Sequence, residues 1–264
     1  MTDHAQALSS KINDRSALVG IIGLGYVGLP LALAFAEKDF NVLGFDVDPA
    51  KIDQLEHGSC YIKHLDGPRI AEAVASGDLQ VTSDFTRLAE PDAILICVPT
   101  PLGPHREPNL DYVESSAYAI RETLRTGQLV VLESTTYPGT TDTLVKSILE
   151  QPTERRAGGE KPFALECGRD FFLAFSPERE DPGNRSYGTT NTPKLVGGVD
   201  EVSGDLAQTL YDQVVESTVR VSSAAVAEAA KLTENIFRSI NIALVNELKM
   251  IYDRIGVDIW EVLD

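Results

Sequence analysis

The chain has 264 residues, 43% hydrophobic and 24% charged, a balance that lets a globular fold bury a core without disulfides. Its formal net charge of −17 argues against nonspecific nucleic-acid binding, which depends on neutralising phosphates, but leaves room for one anionic ligand held by backbone amides. Residues 1–15 read as a polar tail without the apolar core of a signal peptide, and no apolar run approaches the ~20 residues of a bilayer span, so no membrane partner is expected.

Three cysteines without CxxC spacing suggest a cytosolic protein with reduced thiols. Residues 16–23 form the first strand-like run, and a helix follows over 26–38. A strand at 41–46, a helix at 49–56 and a short strand at 79–82 come next. Strands at 93–98, 129–133 and 171–176 have helices between them, and two more strands fit at 194–197 and 218–221. Strands apolar on both faces, each followed by a helix, predict an α/β fold over 16–221, with a doubly wound, Rossmann-type, mostly parallel sheet. The polar stretches 151–161 and 180–192 read as loops inside that domain.

Residues 222–264 differ. A single helical pattern from 223 to 255 contains neither Pro nor Gly. Val226, Ala230, Phe237, Ile240, Leu244, Leu248, Ile251 and Ile255 recur along it, mostly at helical spacings. Such a helix is ~50 Å long, more than one Rossmann domain uses to cover its sheet. It is expected to bridge two chains as a homodimer through its apolar face. Gly256 reads as its stop, and 257–264 as the start of another element.

Gly23-Leu24-Gly25-Tyr26-Val27-Gly28 is a GxGxxG between an apolar strand and a helix, and Asp46 ends the next strand 18 residues after Gly28. In that context Gly23 permits the turn, Gly25 lets backbone approach a pyrophosphate, and Gly28 permits close helix–strand packing. Tyr26 and Val27 lead into the helix N-terminus that faces the phosphates. Asp46 would accept from the ribose hydroxyls and disfavour a 2′-phosphate, which selects NAD over NADP. Asp48 precedes Pro49 and reads as a helix cap. Lys51 reads either as a neighbour of the adenosine or as a solvated surface lysine.

Ligands of open parallel sheets bind at the C-terminal ends of strands. Three such ends carry polar loops: Pro99-Thr100-Pro101, the loop 133–141, and the loop 176–184. Pro99, Thr100, Ser134 and Thr135 are candidates for the cofactor side. Glu133 reads as a held carboxylate near the nicotinamide end. On the long helix Lys231 and Asn235 lie four residues apart on one face, where an ammonium and an amide can stabilise an oxyanion. No metal site is expected.

Together these segments resemble the UDP-glucose/GDP-mannose dehydrogenase family of nucleotide-sugar dehydrogenases over residues 17–264. The matching motifs are 23–30 (GLGYVGLP), 45–49, 61–64 (YIKH), 97–101 (CVPTP), 133–141 (ESTTYPGTT), 176–184 (SPEREDPGN) and 228–247 (EAAKLTENIFRSINIALVNE). The loops 133–141 and 176–184 look most like the branch acting on UDP-N-acetylglucosamine. The resemblance implies two oxidations of a UDP-sugar C6 alcohol to the carboxylate, with two NAD consumed. It makes Thr135 a residue that positions water, Glu178 the acid/base of thioester hydrolysis, and Lys231 and Asn235 the oxyanion donors. It also implies a cysteine nucleophile in a Gly-Gly-His-Cys-Ile-Pro type of segment downstream of the helix, followed by a UDP-binding domain. Both are absent here, so this chain alone is expected to bind NAD without completing the reaction. Two other readings remain: a two-electron hydroxyacid dehydrogenase, and a noncatalytic NAD-binding module.

Overall fold

The computed structural model describes residues 2–62, 65, 67–153, 164–178 and 192–264. Most of the loops expected at 151–161 and 180–192 therefore lie outside the described residues, as do Lys63, His64 and the 176–184 motif beyond Glu178. The chain opens with helix α1 (Asp3–Asn13), which corrects the reading of residues 1–15 as a tail. Thr2 caps the helix by accepting the Ala5 N–H, and Ala5, Leu8 and Ile12 are buried along one face. Three apolar residues at spacings of three and four are enough for an amphipathic stripe, although the segment is polar on average. Lys11 Nζ also lies 2.9 Å from the buried Asp92 carboxylate.

Six parallel strands follow: β1 (Val19–Ile22), β2 (Val42–Phe45), β3 (Leu79–Thr82), β4 (Ala93–Ile96), β5 (Leu129–Leu132) and β6 (Phe172–Phe175). Their order is β3-β2-β1-β4-β5-β6, so the chain switches direction across the sheet between β1 and β4. Every residue of β1, β2, β4, β5 and β6 is buried, as strands covered on both faces require. Helices α1, α2 (Gly28–Ala36), α3 (Pro49–Glu56), α4 (Gly67–Ser76) and α7 (Glu201–Tyr211) contribute to one core. Helices α5 (Asp111–Thr123) and α6 (Lys146–Leu149) contribute to the other.

The last two strands run the other way. β7 (Lys194–Gly198) is antiparallel to β6, with Gly197 opposite Phe175, and β8 (Thr218–Arg220) is parallel to β7. The first residue of β7 therefore lies at the edge where the six parallel strands end.

Helix α8 (Ala224–Ile255) has 32 residues, with Ser223 as N-cap and Gly256 in the left-handed region at φ 75°. A short helix α9 (Ile259–Leu263) follows. Only the start of α8 enters the domain: Ala224, Ala227 and Glu228 are its buried residues. The apolar face beyond it is open, with Phe237 71% and Ile255 65% exposed.

Glu228 is the anchor. Its carboxylate accepts from the Gly139 N–H at 2.6 Å, the Thr141 N–H at 2.9 Å, the Thr141 hydroxyl at 2.6 Å and the Thr136 hydroxyl at 3.4 Å. Burial pushes its pKa up, and the Thr141 and Gly139 donors offset only part of that. Replacement by alanine leaves two buried N–H groups without their charged acceptor, at about 1.5–3 kcal/mol each. Glu228→Ala is therefore expected to cost about 3 kcal/mol or more, read as a fall in Tm of roughly 6 °C or more. A thermal melt within a degree of the parent would show that the anchor contributes little.

Candidate active site

The glycine loop joins β1 to α2 at the point where the sheet order switches, the usual crevice of such sheets. Gly23 has φ 92°, and a side chain on Gly28 would place Cβ 1.9 Å from the Gly23 carbonyl oxygen. A Cβ on Gly25 would meet nothing within 4 Å, so its backbone faces open space. That space is a cleft of about 690 Å³, lined by Gly23, Gly25, Tyr26, Val27, Asp46, Lys51 and Pro99 of the expected cofactor residues. Phe85 and Tyr112 line it as well.

Asp46 stands at the end of β2 with its carboxylate already oriented. It accepts the N–H of Leu24 at 3.0 Å and of Asp48 at 3.0 Å, and pairs with Lys51 Nζ at 2.9 Å. Lys51 is thus neither distant from the cleft nor freely solvated, and its ammonium also lies 5.8 Å from the centre of the Tyr61 ring. The Tyr61 hydroxyl donates to the Leu24 carbonyl. Burial, and then the Asp46 charge, push its pKa up, which keeps it a donor. Asp48 caps α3 by accepting the Ala50 N–H, with Pro49 at the first helical position. The open backbone at Gly25, the helix N-terminus and the carboxylate at the end of β2 suit a dinucleotide without a 2′-phosphate, which the cleft can hold along its length.

Gly28, Thr100, Ser134 and Thr135, also expected on the cofactor side, are not among the residues that line this cleft. Thr100 Oγ1 donates to the Thr135 carbonyl at 2.8 Å, and Ser134 Oγ to the Val98 carbonyl at 2.7 Å, so these hydroxyls tie adjacent strand ends together. Glu178 and Lys231 do meet: Lys231 Nζ donates to the Glu178 backbone carbonyl. Asn235 lies one turn further along α8 and is exposed.

Beneath these groups is a buried cluster that includes Lys194, a residue no sequence motif marks. Lys194 Nζ is 2.7 Å from Glu133 Oε2 and 3.6 Å from Glu178 Oε2. The Tyr211 hydroxyl donates to Glu133 Oε1. Burial alone would lower the Lys194 pKa, but Glu133 and then Glu178 outweigh it, so the ammonium holds its proton more tightly than a free lysine. Burial pushes the Tyr211 phenol up, and the Glu133 charge adds to this. Glu133 is accordingly a held carboxylate. Glu228 was also missed; a buried acid in the first turns of a long helix looks, in sequence, like ordinary N-terminal charge.

Cys97 and Cys167 are poor nucleophiles as they stand. Cys97 is buried, Cys60 and Cys167 are half-buried, and all three are free. Burial, then the Glu133 charge, raise the Cys97 pKa; burial, then Asp200, push Cys167 up to about 12. Reactive cysteines need the opposite environment.

Residues 17–215 match the UDP-glucose/GDP-mannose dehydrogenase family, NAD binding domain, and residues 225–264 match its central domain. A UDP-N-acetyl-D-glucosamine 6-dehydrogenase of Pseudomonas aeruginosa is 35% identical over 93% of this chain and 55% of its own. The structure of a UDP-D-ManNAc dehydrogenase from Pyrococcus horikoshii superposes with TM-score 0.82 at 33% identity, over 93% of this chain and 56% of that one. An NDP-N-acetyl-D-galactosaminuronic acid dehydrogenase from Methanosarcina mazei Go1 superposes with TM-score 0.78 at 32% identity, over 99% of this chain and 55% of that one. The chain thus spans about half the length of the relatives it matches. Its glycine cradle, acidic strand end and anchored long helix, together with the two matched domains, place it in the UDP-glucose/GDP-mannose dehydrogenase family, as the NAD-binding domain and the opening of the central domain.

Proposed function

We propose that this chain is the cofactor-holding and acid/base portion of an NAD-dependent nucleotide-sugar 6-dehydrogenase, one that oxidises the C6 alcohol of an N-acetylated UDP-hexose to the carboxylate. The observation that carries this reading is the convergence of Lys231 and Glu178, from α8 and from the end of β6, at the same sheet edge as the glycine cradle. NAD, when bound, supplies a hydride acceptor at that edge. The Gly25 backbone would approach its pyrophosphate, and Asp46 its ribose hydroxyls. Lys231 and Asn235 would place positive charge and an amide where an oxyanion develops. Thr135 would orient a water, and the Glu178 carboxylate would take its proton. UDP-N-acetylglucosamine is the first substrate to try, because the loops 133–141 and 176–184 resemble that branch; the mannosamine and galactosaminuronic names among the relatives mark the alternatives.

Calorimetry on the chain should show NAD binding at least about tenfold more tightly than NADP, a difference of about 1.4 kcal/mol. The 2′-phosphate would meet the Asp46 carboxylate with like charge. Equal dissociation constants would remove Asp46 from the ribose site.

The chain by itself, mixed with NAD and UDP-N-acetylglucosamine, should form no uronic acid. Burial disfavours the thiolate at Cys97 and Cys167, and the second oxidation needs a covalent intermediate. Two NADH per sugar at an enzymatic rate of roughly 1 per second would mean that Cys60, Cys97 or Cys167 serves as nucleophile.

The open face of α8 is assigned to a second copy of the chain. Phe237, Ile240, Leu244, Ile251 and Ile255 form a strip along ~27 Å of helix that its own domain leaves uncovered. Two such helices can pair isologously, each strip on the other. Sedimentation equilibrium should report a dimer, and Phe237→Glu should convert it to a monomer; a parent protein that is monomeric at high concentration would end this assignment.

A further inference from the structure

Lys194 belongs to no recognised motif, yet it is 4% exposed and sits among charged groups at the reactive edge of the sheet. Its position follows from topology. Because β7 runs against β6, its first residue comes level with the chain leaving β6, where Pro177 and Glu178 lie. From there Nζ reaches Glu133 Oε2 at 2.7 Å, the Pro177 carbonyl at 3.4 Å and Glu178 Oε2 at 3.6 Å. The Tyr211 ring centre is 4.8 Å from the ammonium. Three chain segments thus meet at one ammonium: the end of β5, the end of β6 and the start of β7.

We propose that Lys194 is a positioning residue for the acid/base, its ammonium held by Glu133 and in turn holding the Glu178 carboxylate beside Lys231. This rests on the reading of Glu178 given above. A buried ion pair is weak evidence for stability, since apolar residues of similar volume would pack there at no greater cost. Its placement is informative: a charge cluster buried at the ligand edge of an open sheet fits a role in setting the state of a reacting group. Glu133 and Tyr211 fix the ammonium from one side. Glu178 is reached from the other, and its own backbone carbonyl is held by Lys231. Burial raises the Glu133 pKa, and the Lys194 ammonium offsets part of that as well as part of the repulsion between the two carboxyl groups.

The sign of the effect follows. With the ammonium removed, the Glu133 and Glu178 carboxyl groups lose the positive charge that both approach, and proton uptake by the site is favoured. Among the described residues, the titratable groups facing the site are Glu133 from the end of β5, Glu178 after β6, Tyr211 from α7, Cys97 from the end of β4 and Lys231 from α8.

The test is the pH dependence of kcat in the complete enzyme carrying this chain, with NAD and UDP-N-acetylglucosamine saturating. Lys194→Met should lower kcat about tenfold to a hundredfold and move the acid limb to higher pH by about one unit or more. KM for the sugar and the NAD dissociation constant should stay within about threefold, because the cluster lies beneath the cleft and the lysine does not line it. Lys194→Arg should restore the acid limb. Should Lys194→Met fail to fold, Lys194→Gln keeps a polar side chain beside Glu133 and should show the same direction of shift. Unchanged kcat and acid limb in a folded Lys194 variant, with Glu178→Gln inactive, would overturn the positioning role alone. Full activity with an unmoved acid limb in Glu178→Gln would overturn the acid/base reading and the role of Lys194 with it.

Discussion

The carboxylate of Glu228, buried at the start of α8, determines where everything further along that helix is placed. It takes donors from Thr136, Gly139 and Thr141, so the helix starts from the loop that leaves β5. Lys231 follows three residues later on the same face of the helix. The reach of its ammonium to the Glu178 carbonyl is therefore a consequence of the anchor. Beyond that turn α8 leaves the domain, and no further packing of its own could position a reactive group. A helix held only at its N-terminal turns needs a strong joint, and a charged acceptor of four hydrogen bonds supplies one.

The same edge of the sheet gathers two kinds of buried charge that differ in their partners. Glu228 is held by neutral donors from one loop, which makes it a mechanical joint. Glu133 and Lys194 come from different strands and include a third charge, Glu178, in their field. Replacing the first by an apolar group would leave N–H groups stranded. Replacing the pair by apolar groups would cost the fold little, so its reason for being there must be sought in what it does to Glu178.

Much of the architecture could be read in advance from residue patterns. β3 and α3 begin and end where the alternation of apolar runs and turns put them, and α8 ends at Gly256, the expected stop. The glycine loop and the strand end at Asp46 were equally legible, because the glycine spacing and Asp46 each serve a local backbone need that sequence records directly. What escaped was non-local. Helix α1 is polar on average, and its three core residues are visible as a stripe only once a helix is assumed. Lys194 looks like a lysine at the start of a short strand; its meaning depends on the reversal of β7, and strand direction leaves no mark in the residues themselves. The apolar periodicity of α8 marked a face suited to packing, and the chain's own domain leaves that face open.

The two halves of the candidate site therefore stand at different stages of completion. Around the dinucleotide cleft, Leu24 donates its N–H to Asp46 and accepts at its carbonyl from Tyr61, while Lys51 joins Asp46 to the Tyr61 ring. The crest of the glycine loop is braced on both sides by groups of this chain, so the cradle exists before any ligand arrives and its ordering entropy has been met by folding. Around Lys231 the opposite holds. Asn235 and the apolar strip beyond it are exposed, and the side chains that would confine a sugar are not supplied by the described residues. Cofactor affinity should thus be a property of this chain by itself.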